Sequence, residues 1–391
     1  MKRLKINLLW KILSAIALGI GSGFAAPDWM ARIFITFNGI FSQFLGFAIP
    51  LIIVGLVTPA IADIGTKAGK MLFITVLIAY LSTIAAGFIS YFTGAAFFPG
   101  FILGPEPAKA FVNEAEGLTP FFTVSIPPLM NVMTALVLSF TLGLGLAALG
   151  ERTLKNAVRD FGEVVTKMIN TAVIPLLPLY IFGIFMDMTI AGQVFPIIKV
   201  FIKIIGIIFV LHIGILLLQF SIAGALAGKN PLKLLWNMMP AYMTALGTQS
   251  SAATIPVTLA QTRKNGVSED VAGFVIPLCS TIHMSGSMLK IVACALALMI
   301  ADGMPYGLEM FAGFICMLAI TMIAAPGVPG GAIMAALGLL GSILDFNEEM
   351  QALMITLYIA MDSFGTACNV TGDGAIAIAI DRMTRRGGKS A

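Results

Sequence analysis

The sequence predicts an all-α polytopic membrane protein. Hydrophobic residues make up 59% of the 391 residues and charged residues only 11%, whereas a soluble domain carries about 25% charged residues. Mean hydropathy is +0.99, which leaves too little polar surface to cover a water-facing globule. The apolar residues form continuous runs and do not alternate with polar ones, which argues against a transmembrane β-barrel. The chain is therefore expected to fold as helices that use lipid as most of their solvent.

Composition also narrows the classes of function. The four cysteines all lie inside apolar runs, so the disulfide framework of a secreted protein is not expected. Formal net charge is +4 and no Lys/Arg cluster exceeds a short terminal patch, so a nucleic-acid partner is not expected. His212 and His283 are the only histidines, and no metal-ligating cluster or Ser/His pair accompanies them, which argues against an enzyme. An ion channel would need a ring of repeated carbonyl motifs, which the sequence lacks.

The N-terminus fits two interpretations. Met1, Lys2 and Arg3 precede an apolar stretch that ends in small residues at 23–26, as in a secretory signal peptide. We favour an uncleaved first transmembrane helix, because the rest of the chain is itself apolar enough for the membrane and needs no secretory leader.

Six apolar runs reach the roughly 20 residues that a spanning helix needs. Several exceed about 25 residues, which predicts tilted helices. The predicted spans cover residues 8–26, 34–61, 71–98, 129–148, 165–188 and 197–226.

The basic residues predict the orientation of these spans. Lys and Arg cluster before the first span, after the second, fourth and sixth, and at the C-terminus, while the opposite loops are acidic. Because cytoplasmic loops carry the excess of Lys and Arg, both termini are expected to be cytoplasmic, with the protein in the plasma (inner) membrane.

The C-terminal part is interrupted four times. Small and polar residues break apolar runs at 247–251, 280–287 and 325–331, and polar residues from Asp362 to Asp373 break a last run at 350–380. Irregular backbone cannot face lipid, so the first and third interruptions predict re-entrant hairpins with buried or wet tips. The order hairpin, broken helix, hairpin, broken helix predicts inverted repeats, giving eight transmembrane helices plus two re-entrant helical hairpins. The alternative is ordinary helices softened by Gly and Pro.

Four motifs carry a resemblance to a known family. They are Thr248-Gln249-Ser250-Ser251, Thr281-Ile282-His283-Met284-Ser285-Gly286, Gly327-Val328-Pro329-Gly330-Gly331, and Asp362 followed by Asn369-Val370-Thr371-Gly372-Asp373. With these motifs in this order along the whole chain, the sequence resembles the dicarboxylate/amino acid:cation symporters, the glutamate-transporter family.

The resemblance implies an elevator-type homotrimer that carries an amino acid across the bilayer together with Na⁺, H⁺ or both. The scaffold would comprise residues 1–64, with helices one and two, and 126–192, with helices four and five. The mobile transport domain would comprise residues 65–100, with helix three, and 193–386. The second hairpin would act as the outer gate.

Asp362 is the strongest single candidate for the substrate site. It lies about 12 residues into the last run, hence ~18 Å deep at 1.5 Å per residue, where a carboxylate indicates a functional site or a paired structural charge. The resemblance implies that Asp362 binds the substrate α-amino group. It further implies that Ser250, Ser251 and Asn369 hold the α-carboxylate and that Thr366 lines the site. The other implied substrate-site positions are Gln249, Lys290, Val328, Pro329, Gly330 and Gly365.

The resemblance also implies two sodium sites, both built mainly from backbone carbonyls. The first would use the Asp373 carboxylate, with a structural cap or ion pair as the alternative role of that residue. The carbonyls implied for the first site are those of Cys279, His283 and Asn369. The ligands implied for the second are the Thr281 carbonyl, the Met284 sulfur and carbonyls near Met322, Ile323 and Ala325.

Two departures from the family pattern bear on a third cation. The family's Asn-Met-Asp is His283-Met284-Ser285 here, and Ile84 stands where a helix-three serine is expected beside Tyr80 and Thr83. A hard cation needs oxygen ligands and compensating charge, so a third sodium is not expected. His283 is expected either to carry a coupling proton, since histidine titrates near physiological pH, or to form a neutral packing hydrogen bond.

A further departure bears on specificity. Acidic-amino-acid members carry an Arg where this chain has Gly365, and the alternative Arg of the first hairpin is Gln249 here. Lys290 occupies the position where a Tyr ordinarily packs against that Arg. If Lys290 binds the substrate side chain, the substrate is acidic, like glutamate or aspartate, which is the leading expectation. If Lys290 is an internal counter-ion to a resident carboxylate such as Asp362, the substrate is a neutral amino acid.

Overall fold

The computed structural model describes residues 8–66, 70–102, 118–149, 153–192, 194–323 and 330–387. All regular secondary structure in these ranges is helical, as the apolar runs predict. The N-terminal half contains α1 (Leu8–Gly23), α2 (Asp28–Thr66), α3 (Lys70–Ile102), α4 (Val132–Leu149), α5 (Thr153–Met168), a π-helical turn (Ile169–Val173), α6 (Ile174–Ile190) and α7 (Val194–Ala227). The C-terminal half contains α8 (Pro231–Thr248), α9 (Ser251–Lys264), α10 (Glu269–Ile282), α11 (Ser285–Asp302), α12 (Leu308–Met322), α13 (Gly331–Leu344), α14 (Glu348–Ala360) and α15 (Asp362–Gly387).

The described helices confirm a multi-pass membrane protein. Six segments are long and apolar enough to cross a membrane, and a seventh is added if the bent pair α14–α15 is one span. The predicted first span at 8–26 ends earlier, at Gly23, and its apolar part, Trp10–Gly23, is shorter than a full span. The predicted span at 165–188 instead begins at Thr153. Most of α5 was not predicted as part of a span, because this helix is amphipathic. Its charged residues recur at regular intervals, so it contains no continuous apolar run.

The first predicted hairpin tip is a helix break in the structure. Asn230 caps α8 by accepting hydrogen bonds from the N–H groups of Leu232 and Lys233. The helix ends at Thr248, and the next residue, Gln249, adopts the left-handed conformation with φ 53°. Ser250 then caps α9 by accepting from the Ala253 N–H, and α8 and α9 pack against each other. The break therefore lies within the predicted interruption at 247–251.

The second interruption is a short unwound step between α10 and α11. His283 is extended, with φ −100° and ψ 106°, and Met284 follows before α11 begins at Ser285. The next helix, α11, is buried along its whole length from Ser285 to Ala301. His283 and Met284 are themselves buried, so the unwound backbone meets protein and not lipid, which is the condition for irregular backbone at membrane depth.

The last predicted span breaks at a different place from the one expected. The structure keeps the polar stretch Asn369–Asp373 helical within α15 and bends the chain by 61° between α14 and α15, at Met361. Asn369 and Asp373 find hydrogen-bond partners inside the protein, so their polar side chains do not interrupt the helix. Asp362 therefore lies at the first residue of α15, directly after the bend.

The described helices pack in two groups. In the N-terminal group, α2 packs against α4, α5 and α6, and α1 packs against α6. In the other group, α15 is central and contacts α7, α8, α9, α10 and α11, while α3 packs against α11 and α12. The division into a fixed scaffold and a moving transport domain stays a prediction.

Close contact between α11 and α15 requires glycine at position 286. A methyl group added at Gly286 would lie 2.7 Å from both Cys368 Cβ and the Gly365 carbonyl oxygen. Gly286→Ala is expected to push the two helices apart and lower stability by about 1–3 kcal/mol. The measurement is thermal unfolding of the purified protein in detergent, followed by size exclusion.

Gly313→Ala is the matched control, because a methyl group there meets nothing within 4 Å. Removing a helical glycine should leave stability unchanged or raise it by up to ~1 kcal/mol. Equal midpoints for the two variants would show that the α11–α15 contact tolerates a side chain.

Candidate substrate and cation site

A buried ion pair joins α11 to α15. Lys290 Nζ lies 2.9 Å from Asp362 Oδ1, and the two side chains are 0% and 6% exposed. The same ammonium group donates to the Tyr358 carbonyl oxygen at 3.4 Å and lies 3.4 Å from the centroid of the Tyr358 ring. An aromatic face attracts a cation, so Tyr358 supplements the carboxylate. The sequence left two possible partners for Lys290, the substrate side chain and Asp362. The structure pairs it with Asp362.

Gly365 makes this pairing possible. A methyl group at position 365 would lie 2.8 Å from Lys290 Nζ and 2.9 Å from its Cε. The Lys290 side chain thus lies directly over the bare backbone of α15, where any larger residue would displace it. Gly365 and Lys290 therefore form one packing unit, in which the residue at either position limits the residue at the other.

The second oxygen of Asp362 is bound by the end of the second hairpin. The Gly330 N–H donates to Asp362 Oδ2 at 2.9 Å. Gly330 has φ 78° and directly precedes α13, a backbone conformation that favours glycine. Val328 and Pro329, predicted for the substrate site, and Ala325, predicted for a sodium site, lie outside the described residues.

Asn369 connects α15 to the start of α11. Its Oδ1 accepts from the N–H groups of Gly286 at 2.8 Å and Ser287 at 3.3 Å, and its Nδ2 donates to Ser287 Oγ at 3.1 Å. Ser287 Oγ in turn shares a hydrogen bond of 3.1 Å with the Tyr358 hydroxyl. These hydrogen bonds connect the unwound step to Tyr358, whose ring contacts the Lys290 ammonium group.

The tip of the first hairpin reaches the same end of α15. Gln249 Nε2 donates to Ser363 Oγ at 2.7 Å. Ser250 and Ser251 are half-buried at the start of α9, and Thr366 lies buried one turn into α15. The first turn of α15 is therefore contacted by both hairpins, through Gln249 on one side and Gly330 on the other.

A second buried cluster lies deeper along α15. His283 Nδ1 is 2.9 Å from Asp373 Oδ1, and both side chains are at most 1% exposed. A carboxylate only accepts hydrogen bonds, so Nδ1 donates. His283 Nε2 lies 3.1 Å from Ser82 Oγ of α3. Gln219 of α7 donates to Ser82 at 3.0 Å and to Ser285 at 3.1 Å.

The described residues among the predicted cation ligands lie at the end of α10, at the unwound step, in α15 and at the end of α12. The Cys279 carbonyl accepts from the His283 N–H at 2.9 Å, and the buried Met284 has its N–H bonded to Thr83 Oγ1 at 3.3 Å. Thr281 lies in the last turn of α10, and Met322 and Ile323 end α12. Within the described part of the chain no three His, Cys, Asp or Glu side chains converge. Backbone carbonyls as the main cation ligands stay a prediction of the resemblance.

Sequence reasoning missed four members of these clusters. Ser82 and Gln219 hydrogen-bond around His283, while Ser287 and Tyr358 lie beside Lys290 and Asn369. Gln219 was detectable as one of very few polar side chains in an otherwise apolar run. Tyr358 carried no signal, because a tyrosine in a membrane helix is unremarkable until its ring is seen beneath an ammonium group.

Comparisons with known proteins point to transport. A model of the sodium:dicarboxylate symporter family matches residues 8–383. Among curated proteins, the serine/threonine transporter SstT of Acinetobacter baylyi is 26% identical, and the match covers 98% of each chain. The serine/threonine transporter SstT of Acinetobacter baumannii is 24% identical with the same coverage.

The Lys290–Asp362 pair makes a specific prediction about stability. Asp362→Asn leaves a buried ammonium group without its anion, which should lower stability by about 3–5 kcal/mol. Adding Lys290→Met to that variant should restore most of the loss. The readout is the unfolding midpoint of each purified variant, arranged as a double-mutant cycle.

The exposed Arg263–Glu269 pair is the matched control, since its N–O distance is 3.0 Å but its side chains are 52% and 75% exposed. Glu269→Gln should change the midpoint little, because solvent screens such pairs. Strictly additive effects of Asp362→Asn and Lys290→Met would mean that the two charges do not depend on each other.

Proposed function

Because this chain belongs to the sodium:dicarboxylate symporter family, we propose that it is a sodium-coupled symporter of a small neutral amino acid such as serine or threonine. The observation that carries the choice of substrate is the Lys290–Asp362 ion pair. The acidic substrate that the sequence led us to expect first needs a free cation at the site. The neutral alternative, in which Lys290 is an internal counter-ion, fits both the pair and the names of the two relatives.

Charge balance supports the neutral substrate. Lys290 is the only Lys or Arg between Lys264 and Arg382, and its charge is matched by Asp362. A zwitterionic amino acid adds no net charge to this site. An acidic amino acid adds one negative charge to a buried site that has no uncommitted cation among its described residues, which is costly at low dielectric.

The geometry offers partners for both ends of an amino acid. Asp362 is proposed to bind the α-ammonium group. The helices α9, α13 and α15 begin at the tips of the two hairpins and at the bend, and a helix N-terminus favours an anion such as the α-carboxylate. Ser250, Ser251 and Asn369 are proposed to bind that carboxylate, with Thr366 beside the side chain. Hairpin-two residues Val328, Pro329 and Gly330 are proposed to close over it.

Sodium coupling is proposed to use the second cluster. Asp373 and the carbonyls of Cys279, His283 and Asn369 form the first proposed site. The second is the Thr281 carbonyl, the Met284 sulfur and the carbonyls at the end of α12. The His283 ring contacts one oxygen of Asp373. An elevator movement of a homotrimer in the inner membrane, with both termini cytoplasmic, completes the proposal.

The test of this function is uptake by proteoliposomes that contain the full-length protein. Radiolabelled serine, threonine, alanine, aspartate and glutamate are supplied with Na⁺ and pH gradients imposed separately. We expect sodium-driven uptake of serine and threonine and little uptake of the acidic pair. Asp362→Asn, compared at equal amounts of folded protein, should abolish serine uptake. Uptake confined to aspartate and glutamate would refute the neutral assignment.

Asp373→Asn should weaken sodium dependence more than it weakens intrinsic substrate contacts. Coupling is reciprocal, so if sodium tightens serine binding, serine must tighten sodium binding equally. Serine affinity is therefore measured across a sodium titration, and the slope should fall in the variant. Asp381→Asn is the matched control, because Asp381 lies on the same helix and hydrogen-bonds the Ser268 N–H and hydroxyl. Equal serine affinity in Na⁺ and in choline would exclude sodium coupling in the wild type.

Specificity should follow the coupled pair of positions 290 and 365. Gly365→Arg combined with Lys290→Tyr should confer aspartate uptake, since an Arg fork binds a carboxylate bidentately. Gly365→Arg alone should lose transport, because its side chain would collide with Lys290. Competition of labelled serine by aspartate reports the change. A double variant that folds but still excludes aspartate would show that these positions do not set specificity.

A further inference from the structure

Lys290 occupies the place proposed for the substrate's ammonium group. Its Nζ has a carboxylate oxygen at 2.9 Å, a carbonyl oxygen at 3.4 Å and an aromatic face at 3.4 Å. An α-ammonium group would require the same kinds of partner. The other oxygen of Asp362 is already bonded to the Gly330 N–H. A substrate ammonium that binds Asp362 must therefore displace Lys290 from Oδ1. The displaced Lys290 then needs the substrate's own α-carboxylate as its partner, so the loaded site stays neutral only with a zwitterionic amino acid.

We infer that Lys290 is a tethered substitute for the substrate ammonium, which neutralises Asp362 in the empty carrier so that the empty carrier can close and return across the membrane. This inference rests on the proposed function. It assigns Lys290 a role in the transport cycle that is separate from choosing the substrate. It also implies that the return step requires no cation taken from the internal solution.

Formation of the closed contact between Gly330 and Asp362 is the step that needs this neutralisation. In the structure the end of that hairpin lies on Asp362, through Gly330 N–H, while Lys290 lies on the opposite oxygen. Asp362 is 4% exposed in this arrangement. Without a bound cation the same closure would bury an unpaired carboxylate, which is strongly unfavourable. Either the substrate or Lys290 can supply the missing positive charge.

The packing around Lys290 fits a side chain that returns to one place. The stem lies over Gly365, where a methyl group would meet Nζ, Cε and Cδ at 2.8, 2.9 and 3.2 Å. The Tyr358 ring lies on the ammonium group and is fixed through its hydroxyl by Ser287. The site is thus shaped to hold this ammonium group against Asp362 when no substrate is present.

The test separates two modes of transport in proteoliposomes. Exchange, with unlabelled serine inside, uses only the loaded carrier. Net uptake, driven by sodium into vesicles without serine, also needs return of the empty carrier. Lys290→Met is expected to lower the ratio of net uptake to exchange by about tenfold or more, since unpaired burial of Asp362 raises the barrier of the return step alone. Lys233→Met, which removes an exposed lysine of α8, should leave the ratio at the wild-type value.

Two further measurements test the inference independently of that variant. Internal methylammonium, a free analogue of the lost group, should raise net uptake by Lys290→Met and leave wild-type uptake unchanged. Wild-type net uptake should be the same with K⁺ or choline inside. Gly365→Ala keeps the charge of Lys290 but obstructs the position of its ammonium group, so it should also lower the ratio of net uptake to exchange. This variant replaces Lys290→Met in the test if Lys290→Met fails to fold.

Several outcomes would overturn the inference. They are an unchanged ratio in a folded Lys290→Met or Gly365→Ala variant, an equal loss of exchange and net uptake, or a wild-type requirement for internal K⁺. Absence of serine and threonine transport by the wild type in both modes would instead refute the proposed function, and the inference would fall with it.

Discussion

The ion pair between Lys290 and Asp362 constrains the rest of the site. Each charge is buried in an apolar interior, and burial of either without the other is strongly unfavourable. The pair therefore fixes α11 against α15, requires glycine at position 365, and holds Asp362 where the end of the second hairpin can bind its free oxygen. Helix packing and the contact with Gly330 both involve this carboxylate, which is also the group proposed to bind the substrate.

The second cluster is linked to the first by the rigid helix α15. Asp362 and Asp373 are separated by roughly 16 Å of helix at 1.5 Å per residue, and Asn369 lies between them with its side chain bonded to the start of α11. The unwound step at His283 lies beside Asp373. A cation that rearranges this step would act on Gly286 and Ser287, and through Ser287 on Tyr358 beneath Lys290. These contacts form a continuous physical route between the two clusters.

The sequence predicted helices well where one strong signal dominated. Long apolar runs gave α2, α3, α4 and α7, and the polar tip at Gln249 and Ser250 gave the α8–α9 break. Prediction failed where signals competed. The amphipathic α5 lacked a continuous apolar run. The bend at Met361 has no Gly or Pro beside it that would predict a break in the helix. Asn369 to Asp373 looked like an interruption, but residues of α10 to α11 bind the side chains of Asn369 and Asp373, and the stretch stays helical.

The sequence by itself determined that this chain is a multi-pass helical membrane protein, because only lipid can solvate a chain with so many apolar runs of about 20 residues. It also identified Lys290, Asp362, His283 and Asp373, because an ionisable residue in an apolar run is costly to bury and therefore indicates a functional or paired role. The tertiary structure alone decided their partners. Sequence spacing cannot say that Lys290 crosses 72 residues to reach Asp362 or that Ser82, Gln219 and Asp373 meet around His283. Those distances depend on how α3, α7, α11 and α15 pack, and packing is a property of the whole fold.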